Sequence, residues 1–532
     1  MNNFTTFATN FIKVLKMNNL KTLCLTAAIA TSSATFAGGI LTNTNQNVAF
    51  NRMMSREASI GIDGVYYNPA GVVFMGEGHH LSINWQLAYQ TRTIDNDYPL
   101  FTNNVNNPTT PRKFEGKAFA PAIPSFQYAY NKGKWSFQAN FALNGGGGKC
   151  TFDNGLGSFE KIVGETALAA AQLAGAVDRV AAGYGVPAIF SSQAVFGNEG
   201  KYSYNSYMHG RQYYYGLSLA AAYKVSDNFS AAVGLRGIYA SCNYYGYVRD
   251  IKVGNMPLYK VLDPTKPNAA DIELSCDQSG VGFTPFVGVD YKTGRWNFSA
   301  KYELKTRIRL NNKSVNQAPS IGNLPDNLRN AYIANGVPEA AADQILSNPA
   351  IQGAMSSLKQ QFDSRLGKAI GEFEDGKSLS GDIPALLTLG AGYNPIDPLH
   401  INVGFHWFDD RHATAHNGHH RQLDHGTIEW NAGIEYDINK RFTVSAGWQN
   451  TNYGLTDEYM DDKSFVVSSN SAAVGGVVRL SKRMKLNVAY FHTFYGHKKV
   501  EEQVDLGTAK INYNSDYTRN NNVFAVGLDV DF

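Results

Sequence analysis

Between positions 406 and 425 the chain carries His406, His412, His416, His419, His420 and His425, with Asp409, Asp410 and Asp424 among them. Imidazole and carboxylate groups at i, i+4 spacing are a donor set for zinc or copper. The stretch also spans a hairpin loop without fixed ligand geometry, which fits a solvated, pH-sensitive external loop, and no metal is expected there. Asp457, Glu458, Asp461 and Asp462 pose a similar choice between calcium binding and an ordinary solvated loop. Cys150, Cys242 and Cys276 follow the leader region, and a Cys242–Cys276 bridge across one external loop or free thiols both fit. No Ser/His/Asp or Asp/His set stands at a spacing suited to catalysis, so neither an enzyme nor a cofactor is expected.

The remaining chemistry is cationic. Lys301, Lys305, Arg307 and Arg309 alternate with Trp296, Phe298, Ala300, Tyr302, Leu304, Ile308 and Leu310. A strand sends successive side chains to opposite faces, so one face of 296–310 is apolar and the other charged, with Glu303 as a counter-ion. The pattern recurs in Leu81/Ile83/Trp85/Leu87/Tyr89, in Trp135/Phe137/Ala139/Phe141/Leu143 and in Ile428/Trp430/Ala432/Ile434/Tyr436. It recurs again in Phe442/Val444/Ala446/Trp448 and in the C-terminal Phe524/Val526/Leu528/Val530/Phe532. Lipid covers such a face as readily as a second sheet does, and the charged face then lines a wet lumen.

Short polar turns at Asn131–Lys134, Val225–Asn228, Lys292–Arg295, Asn394–Pro398, Asp437–Lys440 and Ser481–Arg483 alternate with long, variable connections. Together they predict strands over 78–94, 117–131, 134–145, 206–224, 228–250, 280–292, 295–310, 382–394, 399–409, 426–437, 441–451, 465–481, 484–497 and 519–532. The fold class is therefore all-β: a 14-stranded antiparallel transmembrane β-barrel with short periplasmic turns and long external loops. Two of those loops, 146–205 and 311–381, contain helical periodicity. Phe159, Ile162, Val163, Leu168, Leu173 and Val177 mark one helix, and Ile345, Leu346, Met355, Leu358, Phe362 and Leu366 the other.

No apolar run reaches the roughly 18 residues of a membrane-crossing helix. A net charge of +3 over 532 residues gives no reason to expect nucleic acid. Lys13, Lys16 and Lys21 precede an apolar run from Leu23 to Ala37, an export-signal pattern over 1–37 with cleavage near Gly38. Met17 is a plausible true start, and Cys24 lies outside any lipid-anchor context. Localisation in the outer membrane of a Gram-negative bacterium is expected. Residues 38–77, ahead of the first strand, alternate poorly and contain Tyr66-Tyr67-Asn68-Pro69-Ala70-Gly71.

This combination resembles the long-chain fatty acid and hydrocarbon transporters of the outer membrane, the FadL/TodX family. Asn68, Pro69 and Ala70, followed by Gly71, match the motif that closes the family's N-terminal hatch. Hairpin units such as Tyr223–Phe229 and Tyr436–Phe442 are similar to the family's. The resemblance implies a plug over 38–77 inside the barrel of 78–532. It further implies a monomer that takes up long-chain fatty acids or other hydrophobic molecules across outer-membrane lipid.

By that resemblance, a lipophile is caught in an apolar groove between the long loops, here Leu168, Leu173, Val177, Leu346, Met355, Leu358 and Phe362. Its carboxylate would meet Arg411, His412 or Arg249, and hatch movement would release it sideways. Gly145, Gly146, Gly147 and Gly148 fall where the family's third strand kinks, and four glycines weaken a strand. Two rival readings are a general porin for polar solutes, which the segment 38–77 disfavours, and a surface adhesin barrel.

Overall fold

The computed structural model describes residues 39–43, 45–192, 195–197, 199–349, 351–353, 355–356, 372–506 and 509–532. The expected signal over 1–37, with Met17 and Cys24, lies outside them. Fourteen staves form the wall: β1 (Gly78–Asn96), β2 (Arg112–Lys132), β3 (Trp135–Phe152), β4 (Tyr202–Lys224), β5 (Phe229–Val253) and β6 (Ile272–Thr293) come first. Next are β7 (Trp296–Glu303 and Arg309–Gln317), β8 (Ser378–Ser380 and Leu386–Ile396), β9 (Leu399–Phe408) and β10 (Ile428–Asp437). The last are β11 (Phe442–Asn452), β12 (Ser469–Arg479), β13 (Met484–Tyr495 and Lys498–Asp505) and β14 (Lys510–Asp531).

Each stave pairs antiparallel with its neighbours, and β14 returns to β1 with Ile83 opposite Leu528 and Trp85 opposite Val526. The sheet is thus a closed 14-stranded barrel without terminal edges. The outward face carries Ile83, Trp85, Leu219, Val233, Val281, Phe283 and Phe524, between 43% and 64% exposed. So large an apolar surface suits hydrocarbon, not water.

Several strands outrun their predicted ends. β3 continues to Phe152, β4 starts at Tyr202, and β13 and β14 extend outward as a hairpin through Lys498–Asp505 and Lys510 onward. The long loops accordingly shrink to 153–201 and 318–377. They hold α1 (Gly157–Ala182), α2 (Leu324–Ala334) and α3 (Glu339–Leu346).

One predicted face is wrong beyond Glu303. The stave β7 breaks between its two segments, and Glu303 and Thr306 both point inward three residues apart. That odd offset reverses the alternation. Ile308 and Leu310 are consequently buried inside, while Arg307 and Arg309 face outward. Cys242 and Cys276 are free thiols. In the β5–β6 register Cys242 stands opposite Gln278 and Cys276 opposite Tyr244, so the two sulfurs are not paired.

Candidate functional site

The segment 39–77 sits inside the barrel, largely buried. Its first helix, Val48–Met53, is capped by Asn47, whose side-chain oxygen accepts from the Ala49 amide. The Asn47 amide group also donates to Ser82 and Gln127 of the wall, at 3.1 and 2.9 Å.

The motif residues form a second anchorage. Asn68 Nδ2 donates to Asp290 Oδ2 at 2.5 Å, while its Oδ1 accepts from the Gly71 amide at 3.1 Å. A Cβ on Gly71 would collide with the Asn68 amide, so this tight turn requires glycine. The Pro69 carbonyl accepts from Gln138, and the Ala70 carbonyl from Ser230, at 2.8 and 2.7 Å.

A third anchorage is ionic. His406 of β9 places Nε2 2.8 Å from Glu57 of the plug and Nδ1 2.9 Å from Glu429 of β10. An imidazole donates through both nitrogens only when it is doubly protonated, so this bridge is complete only as an imidazolium between two carboxylates. Arg236, Lys301 and Glu303 make a further buried cluster beneath Tyr66, and Lys301 donates to the Tyr66 carbonyl at 2.6 Å. These lumen charges therefore hold the plug. Of the four cations predicted to face inward on β7, Lys301 does so in this way.

Above the plug lies a cavity of about 170 Å3. It is lined by Ile40 and Asn45 of the plug, by Arg92 and Arg519, and by Lys463, Tyr453, Tyr495 and Phe491. Arg92 and Arg519 stand directly opposite one another on β1 and β14. Opposed like charges weaken a strand pair, so this arrangement favours an anion between them. Arg519 also lies over the Tyr495 ring at 5.1 Å. The alternation of strand 81–91 already puts position 92 on the inner face, but the sequence reading followed only the apolar set and missed both arginines.

The same cavity touches a breach in the wall. β2 and β3 pair at Ala118 with Cys150 and again at Phe126 with Phe141, and no ladder joins them between. On β3 the unpaired stretch contains Gly145, Gly146, Gly147 and Gly148; Gly146 and Gly148 have φ of +92° and +80°. A Cβ on Gly146 would strike the Gln212 carbonyl oxygen. On β2 it contains Pro121 and Pro124, which have no N–H to donate. Ile123, Gly146 and Gly148 line both the breach and the cavity.

The other predicted contacts fall elsewhere. Arg411 and His412 are exposed on a short turn outside β9, with Arg411 donating to the Asp424 carbonyl and His412 close to Asp409. Arg249 faces outward because Val248 takes the inner face, and its guanidinium lies 4.1 Å from the Tyr247 ring centroid. None of the three borders the cavity.

Leu168, Val177, Leu346 and Met355 belong to one apolar cluster that packs the external loops together. Leu346 and Met355 also border an open hollow of about 760 Å3. Leu358, Phe362 and the side chain of Leu173 lie outside the described residues, as does the side chain of His416. The other histidines of that loop are dispersed: His419 stacks on Tyr459, His420 accepts from the Ala415 amide, and His425 faces the Gly426 carbonyl. Of the four acidic residues, Asp457 pairs with Lys498, Asp461 with Lys463, and Asp462 accepts from the Ser158 amide.

Solved structures match this arrangement. A Pseudomonas aeruginosa FadL homologue superposes with a TM-score of 0.57 at 15% identity, over 93% of this chain and 100% of its own. The chain has the FadL-channel fold. The deltaS2S3 mutant of the TodX monoaromatic hydrocarbon channel superposes at 0.50 with 12% identity, over 91% of this chain and 99% of its own. No protein-family model and no curated protein matches the sequence. The likeness to the FadL fold thus rests on shape.

Proposed function

We propose that this barrel is an outer-membrane channel for the uptake of hydrophobic molecules, with acid-bearing lipophiles such as long-chain fatty acids as its substrates. The observation that carries this reading is the cavity lined by Arg92 and Arg519 and continuous with the breach between β2 and β3. The two guanidiniums suit a carboxylate, which they can engage bidentately. A cavity of about 150 Å3 holds a benzene ring, so 170 Å3 takes a headgroup and the first methylenes. The rest of a long chain then needs the breach, whose lips are glycine and proline.

The same geometry supports lateral exit through that breach, with the plug closing the lumen below it. Capture begins at the external loop 318–377, where Leu346 and Met355 border the open hollow. Each buried methylene contributes about 0.8 kcal/mol, which makes chain length the main source of affinity and the arginines the source of selectivity. A general porin is disfavoured by the three anchorages of the plug.

The test is uptake of labelled oleate by a Gram-negative host lacking its own fatty acid transporter. Saturable uptake is expected with the parent protein and is lost when Asn68 and Pro69 are both replaced by Ala. Arg92→Gln with Arg519→Gln should weaken oleate uptake while sparing a neutral hydrocarbon. Equal loss of both substrates, or no uptake by a folded parent barrel, overturns the proposal.

A further inference from the structure

We propose that Lys117, Lys149 and Arg211 form a docking row on the outer wall for the phosphate groups of an outer-leaflet glycolipid. This inference rests on the outer-membrane placement proposed above. In the β3–β4 register Lys149 stands directly opposite Arg211. In the β2–β3 register Lys117 is opposite Thr151, which puts it diagonal to Lys149. Their neighbours Ala118, Cys150 and Gln212 face inward, so the three cations share the outer face.

Two cations in direct cross-strand opposition work against the ladder they occupy, and a shared anion removes that repulsion. Lys117 has Glu115 at 3.6 Å, but that carboxylate is held more closely, at 2.6 Å, by Lys113. Among the described residues no carboxylate stands within ion-pair distance of Lys149 or Arg211. Arg211 lies over the Tyr213 ring at 5.7 Å, which orients its fork along the wall.

Immediately below the row the outer face becomes apolar, with Phe119 56% exposed and Tyr215 and Leu217 next along β4. An anion carrying acyl chains satisfies both levels at once, whereas a free phosphate uses only the upper one. Guanidinium and ammonium groups set at this boundary are a recognised fit for lipid headgroup phosphates. Lys117 and Lys149 also flank the outer end of the breach between β2 and β3. The bound glycolipid therefore stands over the mouth of that gap.

The test is native mass spectrometry of the detergent-purified full-length barrel titrated with diphosphoryl lipid A. One retained molecule is expected on the parent, with K117Q/K149Q/R211Q retaining it at least roughly tenfold more weakly. R307Q/R309Q, which removes two outer-face cations elsewhere, should leave retention unchanged. Monophosphoryl lipid A should bind more weakly than the diphosphoryl form.

Equal retention by the parent and the triple variant overturns the proposal. Displacement of lipid A by millimolar inorganic phosphate assigns the row to free anions and overturns the lipid assignment. Folding is checked by heat-modifiable electrophoretic mobility, and R211Q alone serves if the triple variant does not fold. Lipid is counted on the folded barrel without any transport step. Retention without oleate uptake would therefore overturn the transport reading alone.

Discussion

Replacing His406 by Asn removes the cation that Glu57 and Glu429 share, and its consequence follows from their surroundings. Both carboxylates are fully buried. Glu429 keeps Gln449 and Thr451 as donors at 2.9 and 2.8 Å, and Glu57 keeps Asn431 and Ser55 at 3.0 and 3.1 Å. Neutral donors remain, but the positive charge does not.

The variant leaves two buried carboxylates facing one another without a cation, at a cost of about 3–5 kcal/mol, the range for breaking a buried ion pair. The plug amides around Glu57 should therefore lose on the order of 100-fold or more in hydrogen-exchange protection at pH 7. Exchange measured on the detergent-solubilised barrel by mass spectrometry reads this directly. Protection within about threefold of the parent at pH 7 would refute the idea that the imidazolium latches the plug.

Three further outcomes are expected. Gly146→Val should distort β3, because its φ of +92° and its contact with the Gln212 carbonyl exclude a side chain. Oleate uptake should fall, with the barrel still heat-modifiable on a gel. Burial pushes the Asp410 carboxyl up to about 7 against the pull of the Thr427 amide. The folded loop therefore holds more protons than the unfolded one between about pH 4 and 7, and its stability falls as pH rises through that window. Asp410→Asn, whose amide oxygen still accepts from Thr427, should stabilise the 409–427 loop at pH 8 by at most about 4 kcal/mol. Loop exchange should then lose the part of its pH dependence that Asp410 supplies. Finally, alkylation in denaturant without reductant should add one label to each of Cys150, Cys242 and Cys276; two missing labels would contradict their free state.

The barrel was legible because alternation is local: each apolar face could be read within its own strand, and the turns supplied the count. What escaped reading depends on partners far along the chain. The reversal after Glu303 comes from an interruption in β7, and the only sign of it in the run from Trp296 to Leu310 is the polar Thr306 where the apolar face should continue. The outer hairpin of β13 and β14 interrupts its apolar alternation at Glu502 and Ser515, and its inner side, with Val500, Tyr513 and Tyr517, is buried against the external loops. Gly145–Gly148 pointed to the weak place in the wall, whereas Pro121 and Pro124 acquired meaning only through the register that sets them opposite it. Arg92 and Arg519 became a pair only when the last strand closed on the first.

The breach between β2 and β3 also leaves two strand edges facing one another without a ladder. Such edges invite a ladder from any extended chain that meets them, a neighbouring barrel included. Pro121 and Pro124 lack the donors that a new strand would need, and Gly146 and Gly148 twist the facing edge away from the extended backbone such a strand requires. The wall can therefore stay open without becoming adhesive. This keeps the gap of one barrel from being sealed by the strand of another.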